Sequence, residues 1–234
     1  MKKFELTAEK KINWFGRELY RIRALIAFET TNGEEINIGD LGGYVESEKN
    51  LSHDDKAWVC GDAKVWGNAK VWGNAKVCGD AEVWGNAKVC GDAEVCGDAK
   101  VCGDAKVWGN AKVWGNAKVC GDAAIFSTEH ILNITPIGAN ANSLTFFRTK
   151  TREIGVSFEW DFYALNAFEQ LIANWADKFK VTARMAIEIA KVHIDLASTA
   201  PFGDCRNCGK EFNSELVSEY EITHCPWCGT EIEG

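Results

Sequence analysis

No stretch of the 234-residue sequence approaches the roughly 18 consecutive apolar residues that span a bilayer, so the chain is not expected to cross a membrane. The basic residues Lys2 and Lys3 precede no apolar segment, and we expect no signal peptide. Without export, the ten cysteines are expected to be reduced thiols or metal ligands in a cytoplasm rather than disulfides of a secreted scaffold. The net charge of −8 provides no broad cationic surface, which disfavours nucleic acid as a partner.

Glycine, tryptophan and cysteine are abundant instead, with 22, ten and ten residues, and they concentrate in a six-residue repeat. From Ala57 to Thr128 each unit reads Ala, Lys or Glu, Val, Trp or Cys, Gly, and Asn or Asp, with Ile125 in the twelfth valine position. A period of six fits no helix and is typical of a hexapeptide parallel β-helix, in which three units form one triangular turn. The 72 residues predict about four turns, with valine pointing inward and its two neighbours outward.

The sequences on either side of the repeat predict smaller units. Residues 1–56 are expected to form an N-terminal β cap and lead-in segment. Residues 129–200 predict three strands and two helices, and an apolar stripe on the second helix is formed by Met185, Ile189, Val192 and Leu196. This small α+β unit is expected to hold its own core and to cover the last turn. The chain is therefore predicted to be mainly β, with boundaries at 1–56, 57–128, 129–200 and 201–234.

The last segment contains two CxxC knuckles. They are formed by Cys205 with Cys208 and by Cys225 with Cys228, and each is followed by glycine. Four thiolates at this spacing match a closed tetrahedral structural zinc site, and iron fits the same geometry. We therefore expect these four cysteines to bind one metal ion, with zinc as the cofactor. The pattern resembles a zinc ribbon.

The segment from Asp40 to His53, running into Ala57-Trp58-Val59, resembles left-handed β-helix hexapeptide-repeat proteins. The resemblance is strongest to repeat proteins of bacteriophage and prophage genomes. It implies a left-handed coil and a phage-like context, with the cytoplasm of a bacterial host as the compartment, but no particular activity.

Residues 18 apart are expected to stack, so the outward positions after each valine form three columns. The first column is Cys60, Cys78, Cys96 and Trp114; the second is Trp66, Trp84, Cys102 and Cys120; the third is Trp72, Cys90, Trp108 and Phe126. These columns stabilise the stacked turns by side-chain packing or form a binding surface, and both interpretations remain open. A metal site in one column is disfavoured, because a single column offers no tetrahedral set of thiolates. Neighbouring cysteines come within disulfide distance, but a reducing cytoplasm should leave them as thiols.

The third face differs from the other two in charge. Lysines precede three of its valines, whereas the other faces mix lysines with acids. This face is therefore the candidate interface, and its residues are Trp72, Trp108, Phe126, Lys70, Lys88 and Lys106.

Many hexapeptide β-helices are acyltransferases, which generally use a histidine base and an excursion loop that holds the substrate. No loop interrupts this repeat, and its only nearby histidines are His53 and His130, on either side of it. We therefore predict a non-enzymatic binding or scaffold protein with a protein partner, for example a modulator of a host protein, or with further copies of itself as a dimer or trimer. An acyltransferase and a self-assembling structural protein are the alternatives.

Overall fold

The computed structural model describes residues 1–137, 142–194, 196, 202–204 and 211–213. These residues belong to two units, Met1–Asp195 and Leu196–Gly234. The first unit begins with the antiparallel strands β1 (Phe4–Ile12) and β2 (Glu18–Ala24), followed by the pair β3 (Phe28–Glu29) and β4 (Glu35–Ile36). Strand β5 (Leu41–Val45) lies antiparallel to β2, and a 3-10 turn at Glu48–Asn50 follows it.

Twelve two-residue strands occupy residues 57–128, all of which the structure describes. They are β6 to β17 in chain order: Trp58–Val59, Lys64–Val65, Lys70–Val71, Lys76–Val77, Glu82–Val83, Lys88–Val89, Glu94–Val95, Lys100–Val101, Lys106–Val107, Lys112–Val113, Lys118–Val119 and Ala124–Ile125. Every third strand pairs in parallel, so that Val83 stands between Val65 and Val101. The first face contains β6, β9, β12 and β15, the second β7, β10, β13 and β16, and the third β8, β11, β14 and β17. The predicted parallel β-solenoid and its columns of residues 18 apart are confirmed.

The interior of the solenoid consists of the valine and alanine of each unit, which are at most 1% exposed. Backbone N–H groups of one turn donate to carbonyls of the next, as Cys60 N does to Val77 O at 2.8 Å. The corner glycines have φ between +61° and +75°, where other L-residues are strained. At Gly97, an added Cβ would also lie 3.0 Å from the Gly115 carbonyl oxygen. Glycine at the corner therefore allows both the turn and the close stacking of turns.

The solenoid has about five turns, one more than the sequence predicts. The additional turn is the lead-in segment, in which Val45 pairs in parallel with Val65 and Leu51 bridges to Val71. The repeat motif is absent there, but Val45 and Leu51 are buried in the same core as the repeat valines. Gly43 lets β5 lie close to the next turn, since an added Cβ would be 2.6 Å from the Ala63 carbonyl oxygen.

The C-terminal part of the first unit combines a sheet with two helices. Strands β18 (Ile131–Ile137), β19 (Asn142–Arg148), β20 (Ile154–Phe158) and β21 (Asp161–Ala164) form an antiparallel sheet in that order. Helices α1 (Leu165–Ile172) and α2 (Asp177–His193) follow. The predicted order of three strands and two helices is present, with one strand more than expected.

Helix α2 buries a different face from the apolar stripe seen in the sequence. Met185, Ile189 and Val192 are 61%, 51% and 89% exposed, whereas the buried positions include Ala183 and Ile187. Both stripes have helical spacing. The alanine-rich stripe packs inward because its small side chains let the helix approach β18 and α1 closely. The larger residues therefore remain at the surface.

Apart from Leu196, the described part of the second unit is an antiparallel pair, β22 (Phe202–Asp204) and β23 (Glu211–Asn213). Among the described residues, α2 is the longest helix, and neither helix is long and apolar enough to cross a membrane.

Candidate functional site

The predicted interface lysines lie together on the third face. Lys88 stands in register between Lys70 and Lys106 in neighbouring turns. Like charges directly opposite each other destabilise a sheet. This column therefore forms a strip of three lysines in register on the third face.

The aromatic side chains of the third face are largely packed. Trp72 and Trp108 are half-buried, and Cys90 between them is 6% exposed. The Trp108 ring contacts Phe126, with centroids 5.4 Å apart, and the Arg148 guanidinium lies 5.2 Å from the centre of the Phe126 ring. The register brings the predicted residues together as expected, but much of their aromatic surface is not free to meet a partner.

On the second face, the upper part of the tryptophan column packs against the N-terminal strands. Trp66 is only 2% exposed and is buried with Leu19 and Tyr44. Its ring stacks on Trp84 with centroids 5.1 Å apart and planes 1° from parallel. The interpretation of the columns as packing ladders is confirmed at this position.

A cluster of exposed aromatic residues covers the lower part of the second face. Trp14 lies 6.3 Å from Trp84 and 6.2 Å from Trp160 between ring centroids, and it stacks on Phe15 at 3.9 Å. Trp14, Phe15 and Trp160 nevertheless remain 59%, 55% and 73% exposed. We name Trp14, Phe15, Trp84 and Trp160 the tryptophan patch.

Two turns place the patch residues. In the turn between β1 and β2, the Asn13 side-chain oxygen accepts hydrogen bonds from Phe15 N at 3.0 Å and Arg17 N at 2.9 Å, which fixes the exposed aromatic pair. Trp160 lies between β20 and β21 and follows Glu159, whose φ of +56° reverses the chain. Segments from before and after the solenoid therefore meet over one of its faces.

Two lysines give the patch a positive edge. The Nζ atoms of Lys100 and Lys118 lie 4.8 Å and 4.3 Å from the centre of the Trp160 ring, within cation–π distance. Lys118 also donates a hydrogen bond to the Glu159 carbonyl. Burial, and then the neighbouring Lys100, lower the pKa of the Lys118 ammonium. The patch thus combines apolar rings with two crowded cations.

Sequence reasoning centred on the repeat missed this patch, because three of its residues lie outside the repeat. A signal was present, since Trp14, Phe15 and Trp160 are large aromatic residues at chain reversals, where polar residues are usual. The contacts of Trp14 with Trp84 and Trp160 are tertiary, and no local pattern indicates them.

The cysteines of the repeat stand in the predicted columns, but not all are thiols. Cys102 and Cys120 form a disulfide with a Cα–Cα distance of 4.6 Å, so the expectation of thiols is wrong for this pair. Cys60, Cys78, Cys90 and Cys96 are free. Burial raises the pKa of the Cys90 thiol to about 12, which makes this side chain unreactive.

The two histidines on either side of the repeat take part in capping contacts. His53 stacks on Phe4 with centroids 4.1 Å apart, and its Nδ1 accepts a hydrogen bond from Lys3 N at 3.2 Å. His130 is 1% exposed, and its Nδ1 accepts from Phe126 N at 3.4 Å. These contacts hold both rings against the ends of the solenoid.

A shallow groove of about 350 Å³ lies beside the last turns. Its lining includes Lys112, Trp114, Ile131 and His193, and the His193 Nε2 atom is 3.1 Å from the Ile131 carbonyl oxygen. That hydrogen bond uses one ring nitrogen to join α2 to β18.

The four predicted zinc ligands, Cys205, Cys208, Cys225 and Cys228, lie outside the described residues. The pairing of Asp204 with Glu211 brings together the two ends of the segment that contains the first knuckle. Within the described ranges, no group of three or more His, Cys, Asp or Glu residues is placed to hold a metal ion.

Comparison with protein-family models and with curated proteins finds no match to this chain.

Proposed function

We propose that this chain is a non-enzymatic binding or scaffold protein whose rigid solenoid presents the tryptophan patch to a protein partner. The observation that carries the proposal is that Phe15, Trp84 and Trp160 all lie against the Trp14 ring, while three of the four side chains stay more than half exposed. Contiguous exposed apolar surface of this kind marks interaction sites in water-soluble proteins.

The chemistry of the patch favours a protein partner. Tryptophan is enriched among the residues that dominate binding energy at protein interfaces, because a large ring loses little conformational entropy on contact. Lys100 and Lys118 at the edge suit a partner that presents carboxylates beside apolar side chains. The positive third face, with Lys70, Lys88 and Lys106, is a second surface where an acidic partner could extend the contact.

The finer identity of the protein is also part of the proposal. Residues 40–59 resemble hexapeptide-repeat proteins of phage and prophage genomes. From this resemblance we propose a left-handed coil, a phage or prophage origin, and action on a host protein in the bacterial cytoplasm. A zinc ribbon in residues 201–234 rests on the two CxxC knuckles, and the pairing of β22 with β23 around the first knuckle supports it.

Acyl transfer is the less favoured function. His53 and His130 are engaged by the caps, with Nδ1 in each case accepting a backbone hydrogen bond. Turnover of acetyl-CoA with an amine or sugar acceptor, abolished by changing either histidine, would replace the binding proposal.

The test uses the full chain as bait in a bacterial lysate, with chemical cross-linking to map the contacts. Trp14→Ala and Trp160→Ala should each weaken capture by about 30- to 1000-fold, the equivalent of about 2–4 kcal/mol for a central interface tryptophan. Trp114→Ala is the matched control, because Trp114 is 50% exposed on the first face with Lys112 over its ring.

Two outcomes of the same experiment would change the proposal. Equal capture by the wild type and by a folded Trp14→Ala/Trp160→Ala double variant would remove the patch as the interface. Light scattering that shows a dimer or trimer, dissociated by these substitutions but not by Trp114→Ala, would identify a second copy of the chain as the partner.

A further inference from the structure

Three cysteines stand in line on the first face of the solenoid. Cys60, Cys78 and Cys96 follow Val59, Val77 and Val95, whose strands pair in register on successive turns. All three side chains are partly exposed and free. The Sγ atoms of Cys60 and Cys78 are 2.6 Å apart, close to the covalent S–S length of about 2.05 Å.

The spacing of turns in this solenoid suits a disulfide. On the second face Cys102 and Cys120, also separated by 18 residues, are bonded with a Cα–Cα distance of 4.6 Å. The first face differs because it stacks three cysteines rather than two. Since each sulfur forms only one S–S bond, a disulfide in this column always leaves a third thiol beside it.

We propose that the Cys60–Cys78–Cys96 column is a thiol–disulfide exchange site, in which Cys78 bonds to either neighbour and which reacts with low-molecular-weight disulfides such as oxidised glutathione. This site is separate from the tryptophan patch, and the proposal does not depend on the binding function.

The exchange is balanced in three steps. The Cys96 thiolate attacks one sulfur of the small disulfide, so that a mixed disulfide forms and one small thiolate leaves and takes a proton from water. Cys78 then loses its proton to solvent and attacks the Cys96 sulfur, which releases the second small thiol and forms the Cys78–Cys96 bond. Cys60 then loses its proton to solvent and its thiolate attacks the Cys78 sulfur, which moves the bond to Cys60–Cys78 and releases Cys96 as a thiolate. Two protein thiols are oxidised and one small disulfide is reduced.

The hydrogen bonds among the three sulfurs indicate which cysteine attacks first and which one resolves the mixed disulfide. The hydrogen bond from Cys78 lowers the pKa of Cys96, whereas hydrogen bonds with Cys60 and Cys96 raise the pKa of Cys78. The thiolate is the nucleophile, so Cys96 reacts first and Cys78 resolves the mixed disulfide.

The test oxidises the reduced full chain with oxidised glutathione, blocks the remaining thiols and maps tryptic peptides without reduction. Cleavage by trypsin yields the peptide 57–64 with Cys60, the peptide 77–88 with Cys78, and the peptide 89–100 with both Cys90 and Cys96. Fragmentation of the last peptide in the mass spectrometer distinguishes Cys90 from Cys96. We expect two cross-linked species, 57–64 with 77–88 and, through Cys96, 77–88 with 89–100.

Variants separate exchange from simple proximity. Cys78→Ser should abolish both cross-links and leave glutathione on Cys96, while Cys96→Ser should slow formation of the Cys60–Cys78 bond by about tenfold or more. Cys90→Ser is the control and should change neither cross-link. A Cys78 peptide that remains alkylated after oxidation of the wild type would overturn the proposal, as would an unchanged rate of Cys60–Cys78 bonding in Cys96→Ser.

Discussion

Glu82 forms ion pairs with lysines in the turns before and after its own on the second face. Removing its charge tests whether acidic and basic residues that alternate along this column stabilise the solenoid. The side chain is 7% exposed. Its Oε1 atom lies 3.1 Å from Lys64 Nζ, and its Oε2 atom lies 3.5 Å from Lys100 Nζ. The change Glu82→Gln keeps the shape of the side chain and removes the charge that both lysines share.

The magnitude follows from the two contacts. A hydrogen bond to a charged group contributes about 1.5–3 kcal/mol, but the lysine side chains are 23% and 24% exposed, so solvent screening reduces the value. The contact with Lys100 at 3.5 Å is an ion pair without a hydrogen bond and contributes at most about 0.5–1 kcal/mol. Since glutamine retains part of the first contact, we expect a loss of about 1–2 kcal/mol, or roughly 2–8 °C in Tm for a chain of this size.

Thermal melts and urea titrations followed by circular dichroism measure this loss. Glu94→Gln is the matched control, because Glu94 lies 3.7 Å from a more exposed lysine, Lys112, and should lose at most about 0.5 kcal/mol. The difference between the two variants should shrink between about 0.1 M and about 1 M NaCl, where the Debye length falls from about 10 Å to about 3 Å.

The reciprocal change, Lys88→Glu, introduces a carboxylate into the lysine column of the third face, a column that contains no acidic residue. Lys88→Glu would stand between Lys70 and Lys106, as Glu82 does on the second face, and should raise stability by about 0.5–1 kcal/mol. Equal stability of Glu82→Gln and Glu94→Gln, together with a destabilised Lys88→Glu, would refute the reasoning that alternating charges support the stacked turns.

Three further predictions concern the corners, a buried thiol and the metal. Gly97→Ala should cost at least about 1 kcal/mol more than Gly115→Ala in urea unfolding, because both glycines have positive φ but only at Gly97 would the new Cβ meet the next turn; equal losses would deny that steric effect. Alkylation at pH 8 should label Cys96 at least about a hundredfold faster than Cys90, since a pKa of about 12 leaves almost no Cys90 thiolate; similar rates in folded protein would contradict its burial. Purified protein should contain about one zinc per chain by elemental analysis and lose it in Cys205→Ser, whereas unchanged metal content would exclude the four-cysteine site.

The sequence alone determined the solenoid. Each unit specifies its own local geometry, because valine between two outward residues must point inward and glycine takes the positive φ of the corner. Since the same unit recurs, the 18-residue register followed, and with it the columns that contain Trp66 above Trp84 and Cys102 above Cys120. The order of three strands and two helices after the repeat was also readable, since their periodicities are local.

Tertiary structure decided what local patterns leave open. The fifth turn uses Val45 and Leu51 without the repeat motif, so only burial in the common core identifies it. On α2 two stripes have the same period, and close packing of small side chains chose Ala183 and Ile187 over the larger residues. The tryptophan patch exists because Trp14, in a turn before the solenoid, contacts both Trp84 in the repeat and Trp160 in a turn after it, and these residues are far apart in the chain. The period of a sequence pattern indicates which side of a strand or helix a residue occupies. It does not indicate which residues from a distant segment pack against that side.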